Sequence, residues 1–330
     1  AMDVVLGIVF AAGAAALFGW LATRAWRARR LLIRWPASAV TGLAALASAA
    51  VAITLIVGFY RLHAPVQRPV PSVTVARTPE QVARGERLAY LCTGCHASAP
   101  GHLPLNGGHE NQLGGPDGSG IGILYAPNLT PAGPLSDWSD GEIVRAIREG
   151  IDRDGRPLLL MPSEHFRHLS DADVQAIVAY LRSQPPVRRE TPPTSMNLIG
   201  TILVGLGFFP TAVQPPLTEP IPSPPPGVNA EHGRYLVEIS GCASCHGADL
   251  AGLPSDQFGP PPGPNLTVLV PTWTEAQFVR TLRTGVDPTG HRLDPTLMPW
   301  PAFSAAFTDD ELSAMYAYLR ELKPITRPAP

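Results

Sequence analysis

Two pentads hold all four cysteines of this 330-residue chain: Cys92-Thr93-Gly94-Cys95-His96 and Cys242-Ala243-Ser244-Cys245-His246. Their spacing is restrictive. In a helical turn, residues three and four apart share a face. Two thiols can then reach one edge of a flat macrocycle while the adjacent histidine points at its centre. This is the attachment pattern of c-type haem. A single C-x-x-C also suits a thioredoxin-like redox pair or half of a zinc site. Neither asks for a histidine directly after the second cysteine, and zinc would need both pentads to share one ion. Two copies, each with a further candidate ligand downstream, favour two covalently bound haems c.

The pentads belong to a longer repeat. The first copy runs RGERLAYLCTGCH, YAPNLTP, WSDGEIVRAIREGIDRDGRPLLLMP and HFRHLSDADVQAIVAYLR. The second runs HGRYLVEISGCASCH, PGPNLTV, WTEAQFVRTLRTGVDPTGHRLDPTLMP and AFSAAFTDDELSAMYAYLR. Trp138, Arg145, Gly150 and Gly155 recur 135 residues later as Trp273, Arg280, Gly285 and Gly290. Such constant offset marks a duplicated domain. Each copy reads as three main helices with long loops. Capping boxes start them at Thr78/Gln81, Ser139/Glu142, Thr274/Gln277 and Thr308/Glu311, with a weaker version at Ser170/Asp173. Gly150 and Gly285 read as C-terminal caps. No stretch alternates convincingly enough for a strand. At about 100 residues, each copy is small for a purely apolar core, and a covalently held haem supplies apolar interior.

Ahead of the repeats lie two charge-free stretches, Val4–Thr23 and Ala37–Tyr60. At 1.5 Å per residue each is long enough to cross roughly 30 Å of hydrocarbon. The arginines follow the first stretch, which is the wrong order for a cleaved signal peptide, so a retained span is expected. Arg24, Arg27, Arg29, Arg30 and Arg34 crowd the link between the spans with no acidic residue. The positive-inside rule assigns that link to the cytoplasm and the repeats to the opposite side. The expected architecture is all-α: a membrane anchor over 1–63 with spans 4–23 and 37–60, a proline-rich tether over 64–77, a first haem domain over 78–190, an apolar and proline-rich connector over 191–228, and a second haem domain over 229–330. Within the connector, Asn197 to Phe209 is too apolar to stay in water and too short to span. It is expected against a membrane surface or a partner, or packed across the two haem domains. The net charge of −2, with no basic patch after the anchor, excludes a nucleic-acid partner.

An iron held by histidine on one side needs a second axial ligand or stays open. Met161 and Met298 are each followed by proline and lie between the middle and last helices of their copies. Met2, Met196 and Met315 have no such matched loop position. A methionine is more often core packing than a ligand, but the matched pair suits the Met/His arrangement of cytochromes c. His102, His109, His165 and His168 have no counterpart in the second copy, and His165 is the nearest rival.

Both halves resemble class I cytochrome c domains. The pair is similar to the cytochrome c subunits of membrane-bound alcohol, gluconate and aldehyde dehydrogenases. The phrase from YAPNLTP through WSD, EIVRAIREG, RDGRPL and MP to AIVAYLR carries the resemblance. It implies haem attachment through Cys92, Cys95, Cys242 and Cys245, with iron ligands His96 and Met161, and His246 and Met298. It implies that Asn128, Thr130, Asn265 and Thr267 lie by the haem propionates. Trp138 and Trp273 stand as further cofactor contacts or as packing at a helix start. Arg148 and Arg283 pair with propionates or face water; these readings stay open. Many members carry three haems and a C-terminal anchor, whereas this chain has two pentads and two N-terminal spans.

Two function classes then compete. In the first, electrons enter one haem and leave from the other, between a dehydrogenase and the respiratory chain. The partners are a dehydrogenase subunit, a terminal oxidase or a soluble cytochrome, in a complex at the bacterial inner membrane with the haem domains on the periplasmic side. The alternative carrier is the di-haem subunit of a cbb3-type oxidase. In the second class the chain is an enzyme such as a di-haem peroxidase, which needs an iron with an open position. Methionine closure of both sites favours the carrier, with no catalytic residue of its own.

Overall fold

A computed structural model of the chain describes residues 2–115, 119–253 and 263–326. The N-terminal stretches form two long antiparallel helices, α1 (Met2–Trp26) and α2 (Leu31–His63), joined by four residues. Among the described residues these two are long and apolar enough to cross a membrane. Both extend past the charge-free stretches because the link arginines find places on the helices themselves. The Arg24 guanidinium lies 4.9 Å from the Trp20 ring, and that of Arg34 lies 4.3 Å from the Trp26 ring. Cation–π contacts of this kind suit the interfacial end of a span.

The expected tether has no regular structure, yet it is strapped along the first repeat. Val66 N donates to the Gly155 carbonyl at 2.7 Å, and Val75 N to Asp140 Oδ2 at 3.0 Å. Arg68 pairs with Glu149 at 3.1 Å, and Val75 is buried. Proline lacks a backbone donor but keeps an acceptor; the run therefore docks through its few remaining N–H groups and its apolar side chains.

The first repeat comprises α3 (Pro79–Ala89), a 3-10 turn over Tyr90–Cys92, α4 (Thr93–His96), α5 (Asp140–Glu149), α6 (Ser163–Phe166) and α7 (Asp171–Ser183). A connector helix, α8 (Leu198–Leu206), follows. The second repeat comprises α9 (Ala230–Ile239), α10 (Ala243–His246), α11 (Leu266–Leu269), α12 (Glu275–Thr284), α13 (Trp300–Ala306) and α14 (Asp309–Glu321). Every expected cap is present. Thr78, Ser139, Thr274 and Thr308 form complete boxes, while Ser170 accepts from Asp173 N without the reciprocal bond. Gly150 and Gly285 end their helices at φ 67°. One pair of two-residue strands does occur: β1 (Gly122–Ile123) pairs antiparallel with β2 (Ser195–Met196). It is too short to leave an alternating pattern in the sequence.

The first and last helices of each repeat touch through backbone. A Cβ on Gly85 would lie 1.8 Å from the Ala176 carbonyl oxygen, and one on Gly233 would lie 1.8 Å from that of Ala314. Only glycine allows the two pairs, α3 with α7 and α9 with α14, to cross this closely.

The repeats share one continuous apolar core, with Leu88, Leu169 and Val178 from the first and Leu236, Ile239 and Leu312 from the second. They also meet through equivalent polar contacts. Tyr235 occupies the place of Arg87 in the duplicated sequence, and Glu311 that of Asp173. Arg87 Nη1 reaches Glu311 Oε2 at 2.8 Å, and the Tyr235 hydroxyl donates to Asp173 Oδ2 at 2.6 Å. The repeats are therefore related by a pseudo-two-fold arrangement. At its centre Arg84 pairs with both Asp173, at 2.9 Å, and Glu311.

Candidate functional site

Each pentad forms a single helical turn at the end of its repeat's first helix. Cys92, Cys242 and Cys245 are half-buried and Cys95 is exposed; none is in a disulfide. Burial pushes the Cys92 and Cys242 thiols up to about 12. Unreacted, they are held in the thiol form at neutral pH.

The histidines are held from behind. His96 Nδ1 donates to the Pro127 carbonyl at 3.0 Å, and His246 Nδ1 to the Pro264 carbonyl at 2.7 Å. Burial keeps both imidazoles below their ordinary pKa, against the opposing pull of those carbonyls. A neutral ring with a fixed Nδ1–H tautomer presents Nε2 as a free lone pair, which is what a metal requires. Among the described residues no hydrogen bond uses either Nε2. Four unpaired thiols in two turns and two oriented imidazoles thus match the donor set of two haems c.

The P-N-L-T phrase explains why those carbonyls are where they are. Asn128 Oδ1 accepts from Thr130 N at 2.9 Å and from Thr130 Oγ1 at 2.8 Å, while Asn128 Nδ2 donates to the Val187 carbonyl at 2.8 Å. The second repeat repeats the clamp. Asn265 Oδ1 accepts from Thr267 N at 3.0 Å and from Thr267 Oγ1 at 2.7 Å, and Asn265 Nδ2 donates to the Ile325 carbonyl at 2.7 Å. The loop behind each histidine is thereby stitched to the chain that leaves the last helix. Pro127 and Pro264 were not singled out by sequence reasoning. The signal that could have found them is the duplicated proline directly ahead of each Asn-Leu-Thr.

The methionines sit in matching turns. Ser163 N donates to the Met161 carbonyl at 2.8 Å, and Trp300 N to the Met298 carbonyl at 2.7 Å. The intervening prolines have φ −79° and ψ 55°, and φ −76° and ψ 52°. These are inverse γ-turns, which proline's fixed φ favours. Both methionines pack, half-buried, against the core that also touches Cys92, Cys242, Trp138 and Trp273.

Each methionine loop also lies against the other repeat's pentad. His165, four residues past Met161, shares a 2.5 Å hydrogen bond with Ser244 inside the second pentad. The helix after Met298, α13, packs on the Tyr90–Cys92 turn. This gives His165 an interface role.

The two arginines left open are helix clamps. Arg148 Nη1 reaches Asp171 Oδ1 at 2.7 Å and also binds the Leu169 carbonyl; Arg283 Nη2 reaches Asp309 Oδ1 at 2.7 Å and the Phe307 carbonyl at 2.8 Å. They tie the middle helix of each repeat to the start of its last helix.

Comparison with known proteins identifies the two repeats as domains of one family. The family described as cytochrome c oxidase, cbb3-type, subunit III matches the chain twice, over residues 80–181 and 228–319. The chain is similar to a subunit of the nicotinate dehydrogenase of Pseudomonas putida, at 33% identity over 61% of this chain and 18% of that protein. It is similar to the fructose dehydrogenase cytochrome subunit of Gluconobacter japonicus, at 26% identity over 83% of this chain and 59% of that protein. The diheme cytochrome c-type of Cereibacter sphaeroides is 25% identical over 84% of this chain and 98% of that protein. The chain spans less than two thirds of the first two.

Proposed function

Because the chain belongs to the family of cytochrome c oxidase, cbb3-type, subunit III, we propose that it is a membrane-anchored di-haem electron carrier between a dehydrogenase and the respiratory chain. The observation that carries this reading is the mutual packing of each methionine loop on the other repeat's pentad, which brings two haem-attachment turns to one interface. The chain carries two covalently bound haems c. When bound, the haem supplies a one-electron ferric–ferrous couple.

The chain's own residues then do four things. Cys92, Cys95, Cys242 and Cys245 fix each macrocycle edge covalently. His96 and His246 would bind iron as neutral imidazoles whose direction is set by the Pro127 and Pro264 carbonyls. Met161 and Met298 would supply the second iron ligand in each domain, which would let electrons pass but leave no position for a substrate. Asn128, Thr130, Asn265 and Thr267, with Trp138 and Trp273, build the loops and packing around the cofactor. The haem domains are 78–190 and 229–330, within which residues 116–118, 254–262 and 327–330 lie outside those described. The anchor helices hold the module at the membrane, with the arginine-rich link on the cytoplasmic side and the haem domains on the periplasmic side.

Relatives named as dehydrogenase subunits support a dehydrogenase as electron donor. The family description supports a second reading, a cbb3-type oxidase as the direct partner. Purification in mild detergent separates them by whether a dehydrogenase or a haem–copper oxidase accompanies the chain. The carrier reading itself is tested on the whole holoprotein. Met161→Ala and Met298→Ala should each remove about half of the long-wavelength methionine-to-iron charge-transfer band. Peroxide turnover by the unmodified protein at about 10 per second or more would mark an enzyme and overturn the reading.

A further inference from the structure

Helix α8 does not join the core shared by the two repeats. It packs on the anchor. A Cβ on Gly58 would lie 2.0 Å from the Thr201 carbonyl oxygen, and one on Gly205 would lie 2.2 Å from that of Thr54. A Cβ on Gly7 of α1 would meet Leu198 at 2.5 Å. Backbone-to-backbone contact through small residues is how helices associate inside a bilayer. Thr54 and Gly58 lie within the apolar run 37–60, so an anchor that spans the bilayer sets this contact at membrane depth.

Both ends of α8 carry a side-chain cap from the protein. Asn197 Oδ1 accepts from Gly200 N at 3.0 Å at the N-terminus, and Arg61 Nη1 donates to the Val204 carbonyl at 2.8 Å at the C-terminus. A helix beside lipid gains from such pairing because the hydrocarbon offers its end groups no water. Its outer face is apolar and uncovered: Ile199 is 61% exposed and Phe208, just past the helix, 74%. No charged residue occurs from 197 to 209.

A second, smaller core joins this helix to the first repeat. Leu113, Leu124, Met196 and Val204 are buried there, with Leu62, Ile121, Leu159 and Phe209 packed around them. Leu113, Ile121 and Leu124 come from the loop between His96 and Pro127. That loop is longer than its counterpart between His246 and Pro264, and among the described residues the second repeat shows no equivalent seat. Chain enters the first repeat from α2 and returns to α2 through α8.

We propose that α8, with Leu113, Ile121 and Leu124 behind it, seats the first repeat in the bilayer, its outer face covered by lipid acyl chains. The first repeat is then membrane-proximal and held at two points, and the second faces away. Lipid is the occupant because the face continues the exposed apolar surface of α1 and α2 and because it carries no charge from 197 to 209. The inference rests on the anchor reading, and the test separates the two.

Ile199→Cys and Phe208→Cys are made singly in the full-length holoprotein, whose native cysteines are consumed by haem. Leu46→Cys, in the middle of α2, and Glu219→Cys, on an exposed loop, are the references. Each is placed at one copy per lipid nanodisc and treated with a charged, membrane-impermeant maleimide. Positions 199 and 208 should react roughly tenfold or more slowly than 219, as 46 does, because a thiolate forms only where water reaches it. Fast reaction at 199 and 208 with 46 protected overturns the seat and leaves the anchor standing. Fast reaction at 46 as well overturns the anchor reading, and the seat with it. One copy per disc removes a second chain or partner as the source of protection.

Discussion

Arg61 Nη1 donates to the Val204 carbonyl at 2.8 Å and to that of Gly205 at 3.2 Å, across 143 residues of sequence. The last carbonyls of a helix have no partner within it, and a cation there also meets the negative end of the helix dipole. A single side chain from the end of the anchor thus completes a helix that begins after the first repeat. Arg61→Met keeps most of the apolar stem and removes the donor. It should cost about 1–2 kcal/mol, the worth of a charge-assisted hydrogen bond. Thermal denaturation in detergent should show a lower transition for the variant, with the haem spectrum of the folded protein unchanged. An equal transition temperature would mean the contact contributes nothing.

Arg84 should matter more. It is a largely buried cation set between Asp173 of its own repeat and Glu311 of the other, and its pKa is raised by those two carboxylates against the cost of burial. Removing one member of a buried ionic group strands the others. Arg84→Ala should therefore destabilise the protein by about 3 kcal/mol. The triple variant Arg84→Met, Asp173→Asn, Glu311→Gln should recover part of the loss, because no buried charge is left unmatched. Guanidinium denaturation followed by haem absorbance and by tryptophan fluorescence checks both. Arg84→Ala no less stable than wild type would show the network to be dispensable.

The same carboxylates set an acid limit. Burial pushes Asp173 and Glu311 up, but Arg84 outweighs it, helped by Tyr235 and His232 at Asp173 and by Thr308 and Arg87 at Glu311. Both folded carboxyls therefore lie below their ordinary values of 3.8 and 4.5. A depressed folded pKa gives stability that is present above the unfolded value and lost as pH falls through the folded one. The joined repeats should thus keep full stability above about pH 5 and lose it progressively below about pH 4. Denaturation midpoints across that range should fall less steeply for Asp173→Asn with Glu311→Gln than for wild type. Parallel slopes would move the acid sensitivity elsewhere.

Local features were legible in the sequence. The capping residues Thr78, Ser139, Thr274 and Thr308 act within three residues of themselves, so their pattern needs no tertiary knowledge. The duplication exposed the pentads and the Met-Pro turns because a coincidence is hard to repeat in register. Long-range pairings left no such trace. Tyr235 and Asp173 meet across 62 residues, and neither repeat's sequence alone announces the contact. Asn197 to Phe209 was readable as apolar, but its neighbour was not. The choice of α2 depends on glycines at 58 and 205, each of which looks like an ordinary small residue of an apolar run. The strap over 64–77 was hidden for the opposite reason: proline-rich composition describes a chain without helix, not one without contacts.

The loop behind each pentad histidine should govern how that histidine holds iron. Asn128 fills both sides of its amide with hydrogen bonds, two accepted from Thr130 and two donated to the Val187 and Arg189 carbonyls. This holds the loop whose preceding carbonyl, on Pro127, receives His96 Nδ1–H. Asn128→Ala removes all four bonds and leaves the hydroxyl of buried Thr130 with Val187 alone. The cost should be about 2–3 kcal/mol. A second effect separates this role from mere packing. A carbonyl behind a histidine raises the basicity of the ligating nitrogen and so favours the oxidised metal. A loosened carbonyl should raise the reduction potential of the first haem and leave the second near its wild-type value. Asn265→Ala should do the reverse, acting on the second haem through Pro264. Redox titration of the two single variants, with the methionine charge-transfer band monitored to show that both axial positions stay filled, resolves the pair. Stability loss with both potentials unchanged would leave Asn128 as a structural stitch with no hold on His96.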